Sequence, residues 1–230
     1  MDFLPEMEKK VKNRNKAAGI ITVFGMVAMA AISFTQMFPA IAMTDVAVWV
    51  GLVSFFVVEG LTGTSGKESD LRFSTIGTEL RDRTVLWLIF LLICTQILSV
   101  VIGFALFSDA FIDYDLGRAL DVMESKSAIK LLLFLPISGW GEEIAWRGFF
   151  LGKKNEKIPF WIWTVISSAL FAIGHFSQHA SSIVMYGLSI NFICGLIFCC
   201  LFHRTRNCMI STIAHVIGNY AEVLFILLVF

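Results

Sequence analysis

Seven runs of apolar residues divide the chain, at 17–43, 46–61, 84–107, 127–152, 158–176, 182–202 and 209–230, with polar and charged residues gathered between them. At about 1.5 Å per residue most of these runs are long enough, as helices, to cross a hydrocarbon core about 30 Å thick. The second is short, roughly 24 Å if straight, so it crosses with little tilt or thins the bilayer locally. The pattern predicts an all-α fold, a polytopic membrane helix bundle with about seven transmembrane helices. No internal repeat, low-complexity stretch or long linker interrupts it, so residues 1–230 are expected to form a single membrane domain. The first apolar run is far longer than the roughly 7–15 residues of a signal-peptide core, which argues against a cleaved leader.

Charge supports the same count. Most of the 18 Lys and Arg residues lie in alternate connections: Lys9, Lys10, Lys12, Arg14 and Lys16 before the first run, Lys67, Arg72, Arg81 and Arg83 after the second, Lys153, Lys154 and Lys157 after the fourth, and Arg204 and Arg206 after the sixth. The remaining connections hold Arg118 and Lys126, with Lys130 at a span edge, and the third is acidic (Asp109, Asp113, Asp115, Asp121, Glu124). By the positive-inside rule the N-terminus is expected in the cytoplasm and the C-terminus outside. The longest cytoplasmic connection, 62–83, is expected to be a solvated loop with a surface helix near 71–80, in preference to a lid over a substrate.

Composition narrows the class. Hydrophobic residues make up 57% and charged residues 16% of the chain, against about 45–50% and 25% in soluble domains. Formal net charge is zero, so no basic field suggests a nucleic-acid partner. The expected surroundings are a lipid bilayer, and compact loops with a short basic arm suggest a bacterial cell membrane. The five cysteines lie in or beside apolar runs with no disulfide spacing and are expected to be reduced packing residues.

The informative residues are those that lipid would reject. Glu142, Glu143 and Arg147 fall within six positions of the fourth run, although an intramembrane charge costs from roughly 2.5 to more than 10 kcal/mol. His175 lies in the fifth run, and His215 and Asn219 in the seventh. At about 100° per residue, Glu143 and Arg147 lie on one helix face, whereas Arg147 is about 140° from Glu142. An acid–base pair is therefore expected for Glu143–Arg147, leaving Glu142 to address another group. His215 and Asn219 are four apart and share a face. A carboxylate with an imidazole can orient and deprotonate a water, and a second imidazole with a carboxamide can donate to an oxyanion. The blander alternatives remain open at this point: an intramembrane ion cluster, a packed His175, and an interhelical hydrogen-bond lock at His215 and Asn219. His179 and His203 read as boundary histidines and Glu59 as a snorkelling or capping residue.

Three short motifs carry a resemblance. Glu142-Glu143-Ile-Ala-Trp-Arg147, Phe171-Ala-Ile-Gly-His175 and His215-Val-Ile-Gly-Asn219, each in its own apolar run and in this order, resemble the CPBP intramembrane proteases. That family includes type II CAAX prenyl endopeptidases as well as bacterial enzymes and bacteriocin-immunity proteins. The resemblance covers roughly residues 127–230. It implies hydrolysis of peptide bonds in a membrane-associated peptide or protein substrate. Glu142 would be the general base, His175 its helper, His215 and Asn219 the oxyanion site, and Glu143 with Arg147 the support. No cofactor is expected; zinc held by Glu142, His175 and His215 stands as an alternative. A non-catalytic adaptor or immunity protein of the same fold is the rival reading, and a transporter is weaker still, since the two halves show no symmetry. One tension is visible: with straight helices Glu142 lies about 15 Å and His215 about 10 Å from the cytoplasmic ends of their spans, but His175 about 25 Å.

Overall fold

The structure, a computed structural model, describes residues 3–43, 45–64, 69–121, 128–154, 156–177 and 181–230. Lys67, Glu124, Lys126 and His179 lie outside the described residues, as do the side chains of Arg118, Asp121 and Lys130.

Among the described residues the fold is all helical. The elements are α1 (Phe3–Thr35), α2 (Val46–Thr62), α3 (Ile76–Glu79), α4 (Arg83–Phe107), α5 (Asp109–Asp121), α6 (Ala128–Glu143), α7 (Phe160–Gly174), α8 (Ser181–Thr205) and α9 (Cys208–Val229). A 3-10 turn, Pro39–Ile41, precedes α2, and a π-helical segment, Ile144–Leu151, continues α6. Four stretches are long and apolar enough to cross a membrane: Glu6–Thr35, Arg83–Phe107, Ser182–Thr205 and Cys208–Val229. Two shorter apolar helices, Val46–Thr62 and Phe160–Gly174, accompany them. The remaining apolar run is the composite of α6 and the π segment. Many large apolar side chains point outward, among them Phe24, Trp49, Trp87, Leu106, Trp161 and Leu228, the surface expected of helices solvated by lipid.

Local chemistry sets the helix ends. The Asp82 carboxylate accepts from the Thr84 N–H at 2.7 Å to start α4, and the Asn207 carboxamide oxygen accepts from the Met209 N–H at 3.1 Å to start α9. Gly63, at φ 72°, ends α2 in the left-handed conformation that lets its N–H reach the Glu59 carbonyl.

The centre of the bundle is the π segment. All eight of its residues are buried, packed against α2 on one side and α7, α8 and α9 on the others. Contact with α2 requires a residue without a side chain: a Cβ on Gly51 would lie 2.6 Å from the Ala145 Cβ and 2.9 Å from its Cα. Such close backbone approach through small residues is how helices associate where lipid removes the hydrophobic drive.

The end of the bundle bearing the basic residues is tied by polar contacts. Lys153 pairs with Glu59 at 2.8 Å and Asp70 at 3.6 Å, and Arg206 reaches Asp70 at 3.6 Å. Burial pushes the Asp70 carboxyl above its ordinary range, with Lys153 and Arg206 opposing that shift. Asn207, fully buried, accepts from the Arg72 N–H at 3.1 Å and donates to the Arg72 carbonyl and the Glu79 carboxylate, both at 2.7 Å. The described residues 69–83 of this connection are therefore held down, not freely solvated. The surface helix expected over 71–80 shrinks to the single turn of α3, because residues 71 and 72 turn their backbone groups to Ser69 and Asn207 instead of a helix. Glu59, expected to snorkel or cap, is buried and ion-paired. The five cysteines are unbridged.

Replacing Gly51 with Ala forces α2 away from the rigid backbone of Ala145, an overpacking cost of about 1–3 kcal/mol. In a detergent thermal melt G51A is expected to unfold several degrees below the wild type. G60A, where an added Cβ meets open space, should melt with the wild type, and equal melting of all three would contradict the packing.

Candidate active site

The site is assembled where α6 passes into the π segment. α6 runs through Pro136 without ending, and Ser138 and Glu142 occupy the same face one turn apart. The Ser138 hydroxyl donates to Glu142 Oε1 at 2.8 Å. Glu142 Oε2 is buried without a hydrogen-bond partner among the described residues.

Glu143, on the next face, points the other way, into the dry centre. Both it and Arg147 are fully buried. Arg147 Nη1 donates to Glu143 Oε1 at 3.1 Å, and Nη2 donates to the Gly195 carbonyl of α8 at 3.2 Å. The guanidinium carbon lies 4.6 Å from the ring centre of Phe171 and 5.0 Å from that of Phe198, so two aromatic faces supply part of the stabilisation that water would give an exposed cation. The same Oε1 meets His215 Nδ1 at 3.0 Å. A carboxylate paired with a guanidinium only accepts, so Nδ1 carries the proton and donates. The other edge of the His215 ring faces outward, and the ring stacks on Phe198 with centroids 4.6 Å apart and planes 23° from parallel.

His175 is placed by a helix end. It is the C-cap of α7, and its own N–H turns to the Ala172 carbonyl at 2.9 Å. The Phe171 carbonyl, which an uninterrupted helix would have bonded to that N–H, instead receives the imidazole: Nδ1 lies 2.8 Å away. A carbonyl only accepts, so Nδ1 is protonated and Nε2, in the neutral ring, is an acceptor. Nε2 faces Glu142 Oε2 at 3.7 Å. The tension over height is thereby removed, although counting along straight helices put the two far apart. Residues 152–159 separate the π segment from α7, so α7 need not start at the level where the π segment ends.

Asn219 sits one turn beyond His215 on α9 and lines the same cavity as Glu142, His175 and His215. The cavity encloses about 530 Å³. Its most exposed lining residues are Ala42, Met43 and Asp45, on the connection between α1 and α2. The mouth is therefore at the end of the bundle opposite the basic loops. Asp45 stands at this rim with φ 62°, a left-handed backbone that Asp tolerates better than most residues. Desolvation by surrounding protein raises its carboxyl pKa, Glu142 raises it further, and His175 opposes.

Glu142, His175, His215 and Asn219 thus share one cavity, while Glu143 and Arg147 lie behind it and hold His215. One Glu143 oxygen serves both Arg147 and His215. Among the described residues no three His, Cys, Asp or Glu side chains form a group that could hold a metal ion. Glu143 and the Phe171 carbonyl engage Nδ1 of His215 and of His175, which leaves Nε2 of each ring available as an acceptor. Ser138 was missed in the sequence, though its spacing of four from Glu142 was a usable signal. Phe198, the Gly195 carbonyl and Asp45 carry no local signal and come together only through packing.

Residues 124–221, under half of the 230-residue chain, match a protein-family model described as type II CAAX prenyl endopeptidase Rce1-like. No curated protein and no solved structure gives a significant match. The matched segment contains the Glu-Glu-x-x-x-Arg, Phe-x-x-x-His and His-x-x-x-Asn residues that build the site, so over this stretch the chain is similar to the Rce1-like CAAX endopeptidases.

Proposed function

We propose that this protein is an intramembrane endopeptidase in which Glu142 and His175 activate a water and His215 and Asn219 stabilise the oxyanion. The observation that carries this reading is the pair of acceptors, Glu142 Oε2 and His175 Nε2, facing each other at 3.7 Å on a cavity wall. The separation is too long for a direct hydrogen bond, and two acceptors repel unless a donor sits between them. A water donating one proton to each meets that need and turns its lone pairs toward a substrate carbonyl. Glu142 then takes the proton as the water attacks, and Ser138 holds the other carboxylate oxygen in place.

The tetrahedral intermediate would place negative charge on the former carbonyl oxygen. Asn219 offers a carboxamide N–H, and His215, with Nδ1 committed to Glu143, offers Nε2 once it is protonated. Proton transfer from the site to the departing amine completes hydrolysis. Glu143 and Arg147 touch no reacting atom in this scheme; they fix the tautomer and angle of His215, as a buried carboxylate does for the histidine of a catalytic triad. No metal enters this scheme. The orientation that accompanies the reading keeps the basic loops in the cytoplasm, with seven membrane crossings.

Glu142→Gln is expected to leave the melting temperature within a degree or two and to lower peptide cleavage by about a thousandfold, the scale of a lost general base. Cleavage by the wild type should survive a chelator. Full cleavage by E142Q would leave the helix-lock reading, and loss with the chelator that is restored by zinc would restore the metal. Glu143→Gln is expected to act differently. It leaves Arg147 buried without its counter-charge, so it should lower stability by about 3–5 kcal/mol along with activity, and an unchanged melt would contradict the supporting role. Reporter fusions test orientation: an alkaline phosphatase should be active after residue 230 and inactive after residue 154, and the reverse would invert the molecule.

A further inference from the structure

Most hydroxyls inside the bundle are satisfied by their own helix. Thr22 donates to the Ala18 carbonyl at 2.9 Å, Thr35 to the Ile32 carbonyl at 2.6 Å and Ser99 to the Gln96 carbonyl at 2.7 Å, the usual back-bonding of helical serines and threonines. Ser33 of α1 departs from this pattern. It is 1% exposed, and its hydroxyl has no hydrogen-bond partner among the described residues. Buried hydroxyls rarely go unpaired. Thr164 and Ser167 share that lack, but of the three only Ser33 lines the cavity. Its hydroxyl faces Gly174, the residue before His175. Apart from the chain neighbours of Gly174 and the backbone of its own helix, Ser33 Oγ is the only described atom within 4 Å of where a Cβ on Gly174 would stand, at 3.9 Å. The hydroxyl is thus one residue from the imidazole that faces the proposed water. Gln36, whose N–H turns back to the Ser33 carbonyl at 3.3 Å, is buried and lines the same cavity. A hydroxyl and a carboxamide offer donors and acceptors matched to a peptide main chain.

We infer that Ser33 is a substrate-binding residue: its hydroxyl hydrogen-bonds the main chain of the peptide beside the scissile bond, and the Gln36 carboxamide takes the adjoining peptide unit. This inference rests on the proteolytic reading above and says how the same site holds its substrate. The bound peptide then runs between α1 and α9. His215 and Asn219 hold the scissile carbonyl oxygen from one side and Ser33 the flanking amide from the other, so the carbonyl carbon is presented to the water between Glu142 and His175. Recognition of this kind requires an extended peptide at the point of cleavage, because a helical segment has already spent its N–H and C=O groups on itself. Ser33 and Gln36 lie outside residues 124–221, so the likeness to the Rce1-like enzymes does not extend to them.

The test uses the purified full-length protein in neutral-lipid nanodiscs and a peptide, chosen from a library of short apolar sequences, that the wild type cleaves and E142Q does not. Ester analogues of that peptide replace one amide N–H at a time and leave the scissile bond as it is. Ser33→Ala is expected to lower kcat/KM about tenfold, the scale of one lost hydrogen bond. Its melting temperature should equal or exceed that of the wild type, since alanine leaves no hydroxyl buried and unpaired. At one flanking position the ester should cost the wild type a similar factor and cost S33A nothing further, while at the others the two proteins respond alike. Three results overturn the inference and leave the proteolytic reading standing: unchanged cleavage by S33A, losses that multiply at every position, or a lower melting temperature of S33A, the mark of a hydroxyl paired within the protein. Absence of Glu142-dependent cleavage from every peptide in the library overturns both.

Discussion

The structure depends on one carboxylate oxygen. Glu143 Oε1 receives the Arg147 guanidinium at 3.1 Å and the His215 ring at 3.0 Å, in a place that water does not reach. Removing any of the three leaves a buried charge or donor without its partner, at a cost of several kcal/mol. This interaction therefore brings together three segments, the π segment, α8 through the Gly195 carbonyl, and α9. It is poorly described as a stabilising bond. Its consequence is geometric: the arrangement in which all three groups are satisfied is also the one that turns His215 toward the cavity.

The two adjacent glutamates show how a helix separates roles. One residue of rotation sends Glu143 to the dry side and Glu142 to the cavity. The dry side tolerates its charges because they are paired and flanked by the Phe171 and Phe198 rings. On the cavity side, among the described residues, Glu142 has one hydrogen bond, from Ser138, and an oxygen facing His175. Phe171 links the two, because its ring lies against Arg147 while its carbonyl fixes the tautomer of His175. The far end is tied by Asn207 and the contacts among Glu59, Asp70, Lys153 and Arg206, while the most exposed lining residues of the cavity lie on the α1–α2 connection.

Apolar run length and helical angle made much of this legible beforehand. Helical class, the Glu143–Arg147 pair and the separate facing of Glu142 follow from residue type and a spacing of four. What was illegible is of two kinds. Some of it depends on helix phase and height: the π segment adds residues to a turn without any composition cue, and the level of His175 depends on how an eight-residue connection runs. The rest depends on contacts distant in sequence. Asn207 holds residue 72 across 135 positions, and His215 meets Glu143 across 72. A single sequence shows such residues as isolated polar side chains, which is why the 62–83 connection reads as a solvated loop and the contact between Glu143 and His215 is not visible there.

The central claim is that Glu142 activates a water and does not attack the peptide itself. A single turnover in 18O-labelled water, with enzyme in excess over a cleaved peptide, separates these directly, because a carboxylate nucleophile gains the solvent oxygen when its acyl intermediate is hydrolysed. The account predicts that the label enters the new carboxylate of the peptide product and is absent from the Glu142 side chain recovered by digestion. Label in Glu142 with an unlabelled product carboxylate would contradict it.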